Sequence, residues 1–183
     1  YNPVTVNLTG DLLAANADRN VYIKNQVADS LLRLGSVYAG DTVHLESEKG
    51  FAMTENTAYK MGYLNAGRQL DLITNPTTGV IGTSADPIRI LNNMGTPEQY
   101  ADPTANKGML INLTAKDAYV EGVNGTRGDN TTMRLGLVEL AGNLVAHSES
   151  YLEAGAIRLA DTDHEGINGS MRATGNGELG AEK

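Results

Sequence analysis

Apolar and polar residues alternate along this chain in brief runs rather than in helical waves. Val4, Val6 and Leu8 alternate with Thr5 and Asn7, Val43 and Leu45 flank His44, and Leu70 and Leu72 flank Asp71. The same beat returns at Ile88-Arg89-Ile90, Ile111-Asn112-Leu113 and Ile157-Arg158-Leu159. A period near two sends successive side chains to opposite faces of a strand, and the Gly, Asn, Asp and Thr between the runs are turn formers. Strands of about three to five residues are therefore predicted; strands that short persist only when stacked on others. Two stretches, Asn25–Leu34 and Glu55–Leu64, carry apolar residues at a helix-like spacing. Gly35, Gly62 and Gly67 keep both short, and isolated helices below ~12–15 residues are marginal. Most of both is assigned to coil.

The chain also repeats itself. Arg33-Leu34-Gly35-Ser36-Val37-Tyr38-Ala39-Gly40-Asp41-Thr42-Val43 matches Arg134-Leu135-Gly136-Leu137-Val138-Glu139-Leu140-Ala141-Gly142-Asn143-Leu144-Val145 with one inserted residue. An Ala-Gly pair followed by an alternating strand recurs at Ala39-Gly40, Ala66-Gly67, Ala141-Gly142 and Ala154-Gly155. Degenerate repeats of this size point to a solenoid, in which each rung buries its apolar face only against its neighbours. Glycine is expected to supply the backbone angles of the corners. At roughly 20–25 residues per rung, with strands ~4.8 Å apart, the chain makes about seven to nine rungs, a rod about 35–45 Å long. The solenoid is assigned to residues 1–167. Within it, 92–107, with Gly95, Pro97, Asp102 and Pro103, reads as a loop thrown out from the rod. The Gly-rich tail 168–183 reads as frayed chain or the start of the next rung.

Composition sharpens this picture. One Phe (Phe51), no Trp, eight Tyr and 21 Gly suit a thin aliphatic core better than one deep aromatic one. Cysteine is absent, which removes disulfides, thiolate chemistry and Cys-based zinc sites. The net charge of −8 comes from 14 basic against 22 acidic residues. Without a basic stripe, nucleic acid is excluded as a partner, and no apolar run is long enough for a membrane-spanning helix. The chain begins at Tyr1 with no signal segment, so it reads as a piece of something longer.

Several phrases in order carry a family resemblance. Val80-Ile81-Gly82-Thr83-Ser84-Ala85-Asp86-Pro87-Ile88-Arg89-Ile90 resembles the "IGT-x-x-x-P-(I/L)-R-(I/V)" phrase of large filamentous adhesins. Those are the filamentous haemagglutinins exported by two-partner secretion and the leukotoxin-like filamentous adhesins. Leu110–Ala115 with Asp117–Glu121 resembles their next rung, and the Arg-Leu-Gly blocks at Arg33 and Arg134 resemble the one after it. The likeness spans 31–159. It implies a right-handed parallel β-helix, a secreted or cell-surface location, and a role in adhesion to host receptors or glycans. It implies no catalytic site.

Two candidate sites stand out. Arg127-Gly128-Asp129 sets a cation and a carboxylate on a Gly turn, a form suited to completing a receptor's metal site; the plainer reading is good turn chemistry between rungs. Asp161, Asp163 and Glu165, with Gly166, open like a weak calcium loop, but the twelfth position is Arg172 rather than a bidentate Glu. A solvated acidic turn is the plainer reading, and no cofactor is expected. His44, His147 and His164 lack metal-ligand spacing. Asn-x-Ser/Thr triplets at Asn7, Asn112, Asn124, Asn130 and Asn168 fit either glycosylation or ordinary turn usage.

The rival class is a carbohydrate-binding or carbohydrate-cleaving β-helix. Cleavage needs carboxylates paired over a groove, whereas Asp71, Glu121, Glu139, Glu153 and Asp161 are expected on outward faces of separate rungs. No G-x-S-x-G elbow or phosphate-cradling Gly loop is present. The sequence therefore reads as a non-enzymatic adhesin stalk segment, with a purely structural spacer as the other alternative.

Overall fold

The computed structural model describes residues 4–59, 61–92, 109–124, 132–149, 151–154, 157–159, 171–173 and 180–181. The loop at 92–107 lies outside these residues except for Asn92. Every described regular element is a strand, and every pairing between strands is parallel. One sheet holds β1 (Val4–Val6), β3 (Asn20–Asn25), β5 (Thr42–Ser47), β8 (Gln69–Ile73), β11 (Leu110–Ala115), β13 (Thr132–Leu140), β15 (Tyr151–Ala154) and β16 (Ile157–Leu159). The other holds β2 (Asp11–Ala17), β4 (Leu32–Ala39), β6 (Gly50–Met53), β7 (Leu64–Ala66), β9 (Val80–Ile81), β10 (Ile88–Leu91), β12 (Asp117–Val123), β14 (Leu144–Ser148), β17 (Met171–Ala173) and β18 (Gly180–Ala181). The chain visits the two sheets in turn. Each visit lies beside the previous one in the same sheet.

In the second sheet a single level is often split in two. β6 and β7 both pair with β4, and β9 and β10 both pair with β12. Between the halves, residues 54–59, 61–63 and 82–87 lie outside the strands. β17 and β18, in the C-terminal tail, likewise share β14.

Alternation delivers the core. In the first sheet Val21, Val43, Leu70, Ile111 and Leu135 lie in register from strand to strand. Beside them run Ile23, Leu45, Leu72, Leu113 and Val138. From the second sheet come Val37, Leu64 and Ile90, and another column of Phe51, Ile81, Ala118 and Leu144. All but Ile23 are buried. Burying each Leu- or Val-sized side chain contributes about 1.5–3 kcal/mol, so the stack gains stability level by level.

Two of the Ala-Gly corners, Ala39-Gly40 and Ala66-Gly67, pile up, for a reason other than the expected one. Ala17, Ala39 and Ala66 are in register, and Gly67 N–H donates to Ala39 O at 3.1 Å. Neither Gly40 nor Gly67 has a positive φ; a Cβ on Gly67 would strike the Gly40 carbonyl, and one on Gly40 the Asp18 carbonyl. Close stacking, not backbone freedom, excludes a side chain there. The left-handed region is used at Gly50 (φ 123°) and Gly82 (φ 67°).

Three sequence expectations are corrected. Leu32–Leu34, assigned with its neighbours to coil, opens the eight-residue strand β4. Strands also exceed three to five residues, with β13 reaching nine, because long strands gain partners on both sides. Finally, the two Arg-Leu-Gly blocks are not equivalent. The first lies in β4 of the second sheet and the second in β13 of the first sheet, half a circuit out of phase. An alternating apolar run before a tight corner satisfies either sheet, so similar sequence does not fix which sheet a strand joins.

Candidate functional site

Outward side chains, the other half of the alternation, form two different surfaces. On the first sheet Tyr22, His44, Asp71 and Asn112 lie in register on successive strands. Tyr22 meets His44 edge to face, with ring centroids 6.2 Å apart. His44 Nδ1 is 3.0 Å from Asp71 Oδ2, and Nε2 is 3.0 Å from Glu46 Oε1. Asn112 Nδ2 donates to Asp71 Oδ1 at 2.8 Å, Gln69 Nε2 donates to the same carboxylate at 2.9 Å, and Lys24 Nζ donates to Glu46 Oε2 at 2.7 Å. Although on an outer face, His44 is only 7% exposed and Asp71 9%.

Only a doubly protonated imidazolium donates from both ring nitrogens, so this geometry selects the cation. Burial pulls the His44 pKa down, but the hydrogen bonds to Asp71 and Glu46 outweigh it and leave it raised above 6.5. Burial pushes Asp71 up, and the hydrogen bonds from His44, Asn112 and Gln69 overcome that and hold it below 3.8. Glu46 is held below 4.5, first by Lys24 against its partial burial and then by His44. Carboxylates tuned this way stay ionised at neutral pH.

Beside this column opens a cleft of about 600 Å³, lined by Lys24, Gln26, Glu46, Glu48 and Thr74 among others. The buried polar residues Asn25, Ser47 and Thr74 also line it; Asn25 and Ser47 are in register at the ends of β3 and β5, and Thr74 follows β8. Asn25 accepts from Leu8 N–H and donates to Leu8 O, both at 3.0 Å, closing the turn after β1. A comparable stack ends the second sheet, where Asn92 Nδ2 donates to Asn124 Oδ1 at 3.1 Å and to Ser148 Oγ at 3.0 Å.

The second sheet's outer face is more open. Arg89, Glu121 and His147 are in register, and the Ile90–Leu64 pairing sets Tyr63 beside Arg89. Arg89 Nε donates to Gly62 O at 3.0 Å, and its guanidinium lies 3.6 Å from Asp86. His147 Nδ1 is 4.0 Å from Glu121 Oε1, beyond hydrogen-bonding distance. A cleft of about 160 Å³ opens there among Ser84, Pro87, Tyr119, Glu121 and His147. At the other end Tyr38 (45% exposed), Tyr59, Tyr63 and Met61 (76%) face solvent.

The sequence-predicted site residues Arg127, Gly128 and Asp129, and the calcium candidates Asp161, Asp163 and Glu165, lie outside the described residues. His44 and His147 fall in different sheets, and among the described residues no group of three or more His, Asp or Glu is placed to hold a metal ion. The sequence reading missed the His44–Glu46–Asp71 network. A signal existed, since His44-x-Glu46 and Gln69-x-Asp71 both occupy outward strand positions, but the register that joins them did not show. No family model, curated protein or solved structure matches this chain.

Proposed function

We propose that this chain is a right-handed parallel β-helix segment from a large secreted bacterial filamentous adhesin, serving as a rigid stalk on the cell surface. The observation that carries the reading is the regular return of the chain to two parallel sheets, with inward aliphatic residues in register over five strands of the first sheet. The phrases that resemble filamentous haemagglutinins fall on the elements such a rung needs. Val80–Ile90 spans β9, the Gly82 turn and β10, and Leu110–Glu121 covers β11 and most of β12. A catalytic role has less support, because the carboxylates gathered around His44 are neutralised by it and by Lys24.

Receptor contact is assigned to Arg127-Gly128-Asp129. The test is adherence of the purified chain to cultured epithelial cells, beside an Asp129→Ala variant. Loss of adherence in the variant is the expected result. Equal adherence by both removes the tripeptide from the reading, and no adherence by either reduces the segment to a spacer. Release of shortened chains from plant or bacterial polysaccharides by the purified protein would overturn the stalk reading altogether.

A further inference from the structure

Exposed apolar side chains are unevenly shared between the two walls. Among the described residues five large ones stand exposed, and four of them, Tyr38, Tyr59, Met61 and Tyr63, gather at one end of the second sheet's outer face. Leu137 is the fifth, on the first sheet. Register explains the gathering. Val37 pairs with Leu64, so Tyr63 lies beside Ser36, and Tyr38, two residues further along β4, is its diagonal neighbour. The turn before β7 lies against that wall. Gly62 N–H donates to Tyr59 O at 2.7 Å, and a Cβ on Gly62 would strike the Gly35 carbonyl and Ser36 Oγ. Glycine against glycine thus keeps Tyr59 and Met61 beside the two rings.

Tyrosine and methionine are residue types that protein interfaces gather, and charge narrows which surface fits. Around the patch two cations, Arg33 and Arg89, meet three acids, Asp11, Glu55 and Asp86. The whole chain carries −8, so this end of the wall is close to neutral and the excess acid lies elsewhere. A basic partner would be drawn to that acidic remainder, and an acidic one repelled by it. The surface that covers the patch is therefore itself apolar and near neutral. The patch answers that description. It is also self-complementary: a two-fold axis seats the projecting Met61 of each copy on the flat tyrosine rings of the other, a sulfur–aromatic contact that methionine makes well.

We infer that the chain pairs with a second copy of itself, face to face, through Tyr38, Tyr59, Met61 and Tyr63. A patch of this kind covers a few hundred Å². The pair therefore buries less than the ~1,200 Å² at which stable complexes begin, and its Kd is about 100 μM. The inference stands on the wall itself and does not depend on the adhesin reading.

The test is analytical ultracentrifugation of the purified chain from about 10 μM to about 1 mM. The mean mass should climb toward that of two chains. It should climb more steeply at about 0.5 M than at about 0.05 M NaCl, because salt screens the repulsion between two acidic copies. Met61→Glu and Tyr63→Ser should each weaken pairing at least about tenfold. Leu137→Glu, at the exposed apolar residue of the other wall, should leave it within about twofold. Circular dichroism checks that each variant is folded, and Met61→Glu, at a side chain 76% exposed, decides if Tyr63→Ser is not. A chain that stays monomeric throughout leaves the patch to a different partner and overturns the inference. Folded Met61→Glu pairing as well as wild type overturns it too, as does loss of pairing in Leu137→Glu. So does pairing that salt weakens, or growth past two chains.

Discussion

The outer walls of the two sheets are built by the same rule and end in opposite conditions. On the first, Tyr22, His44, Asp71 and Asn112 touch their neighbours on the next strand, so the wall closes on itself. On the second, Tyr63, Arg89, Glu121 and His147 occupy the same kind of column, yet Glu121 and His147 stand 4.0 Å apart and the tyrosines face water. Inward positions fix the fold in both sheets. Outward positions divide between those that bond across to the next strand, as His44 does to Asp71, and those that stand apart, as Glu121 and His147 do.

This division is open to direct challenge. The largest effect is expected from Asp71→Ala, which removes a nearly buried carboxylate from its three partners His44, Asn112 and Gln69 and leaves His44 with Glu46 alone. Urea unfolding should show a loss of about 3 kcal/mol. The matching change on the other wall, Glu121→Ala, should stay within about 0.5 kcal/mol. Equal losses would erase the distinction between the walls.

Next comes pH. His44 has a raised folded-state pKa, so its contribution is full below its unfolded value near 6.5 and is lost as pH rises through the folded value. Asp71 and Glu46 are lowered, so their contributions are present above their ordinary values of 3.8 and 4.5 and are lost in acid. Stability should therefore peak between about pH 4.5 and 6.5 and decline above neutrality. In a His44→Gln variant the decline above neutrality should vanish. A wild-type melting temperature that stays flat from mild acid into the alkaline range would contradict the cationic histidine.

The smallest effects belong to the edges of the two walls. Lys24→Met removes an exposed partner of Glu46, and the unfolding midpoint should not move measurably. Tyr38→Ala, at an exposed ring on the open wall, should likewise leave it unchanged.

Much of the strand map was legible from sequence. The alternating runs at Val43–Leu45, Leu70–Leu72, Ile88–Ile90, Ile111–Leu113 and Ile157–Leu159 each fall within a strand, because a buried wall demands apolar residues at every second position. Register was not legible. From Val21 to Val43 is 22 residues, from Val43 to Leu70 is 27, and from Leu70 to Ile111 is 41. The intervals differ partly because some levels of the second sheet are split in two, so no fixed period told which outward residues would meet. Hence the isolated appearance of His44 in the sequence, and its two carboxylate partners in the structure. The same freedom let one sequence block recur on opposite sheets.

Because strands in the first sheet follow one another in chain order, their hydrogen bonds all point along one direction, the direction in which they stack. A pull applied to the two ends along that line would tear the levels apart singly, like stitches, with no need to shear the whole protein at once. Each parted stitch frees the chain between register partners; 27 residues give about 90 Å of slack. A chain stacked this way would yield by sudden lengthening under load, long before it snapped.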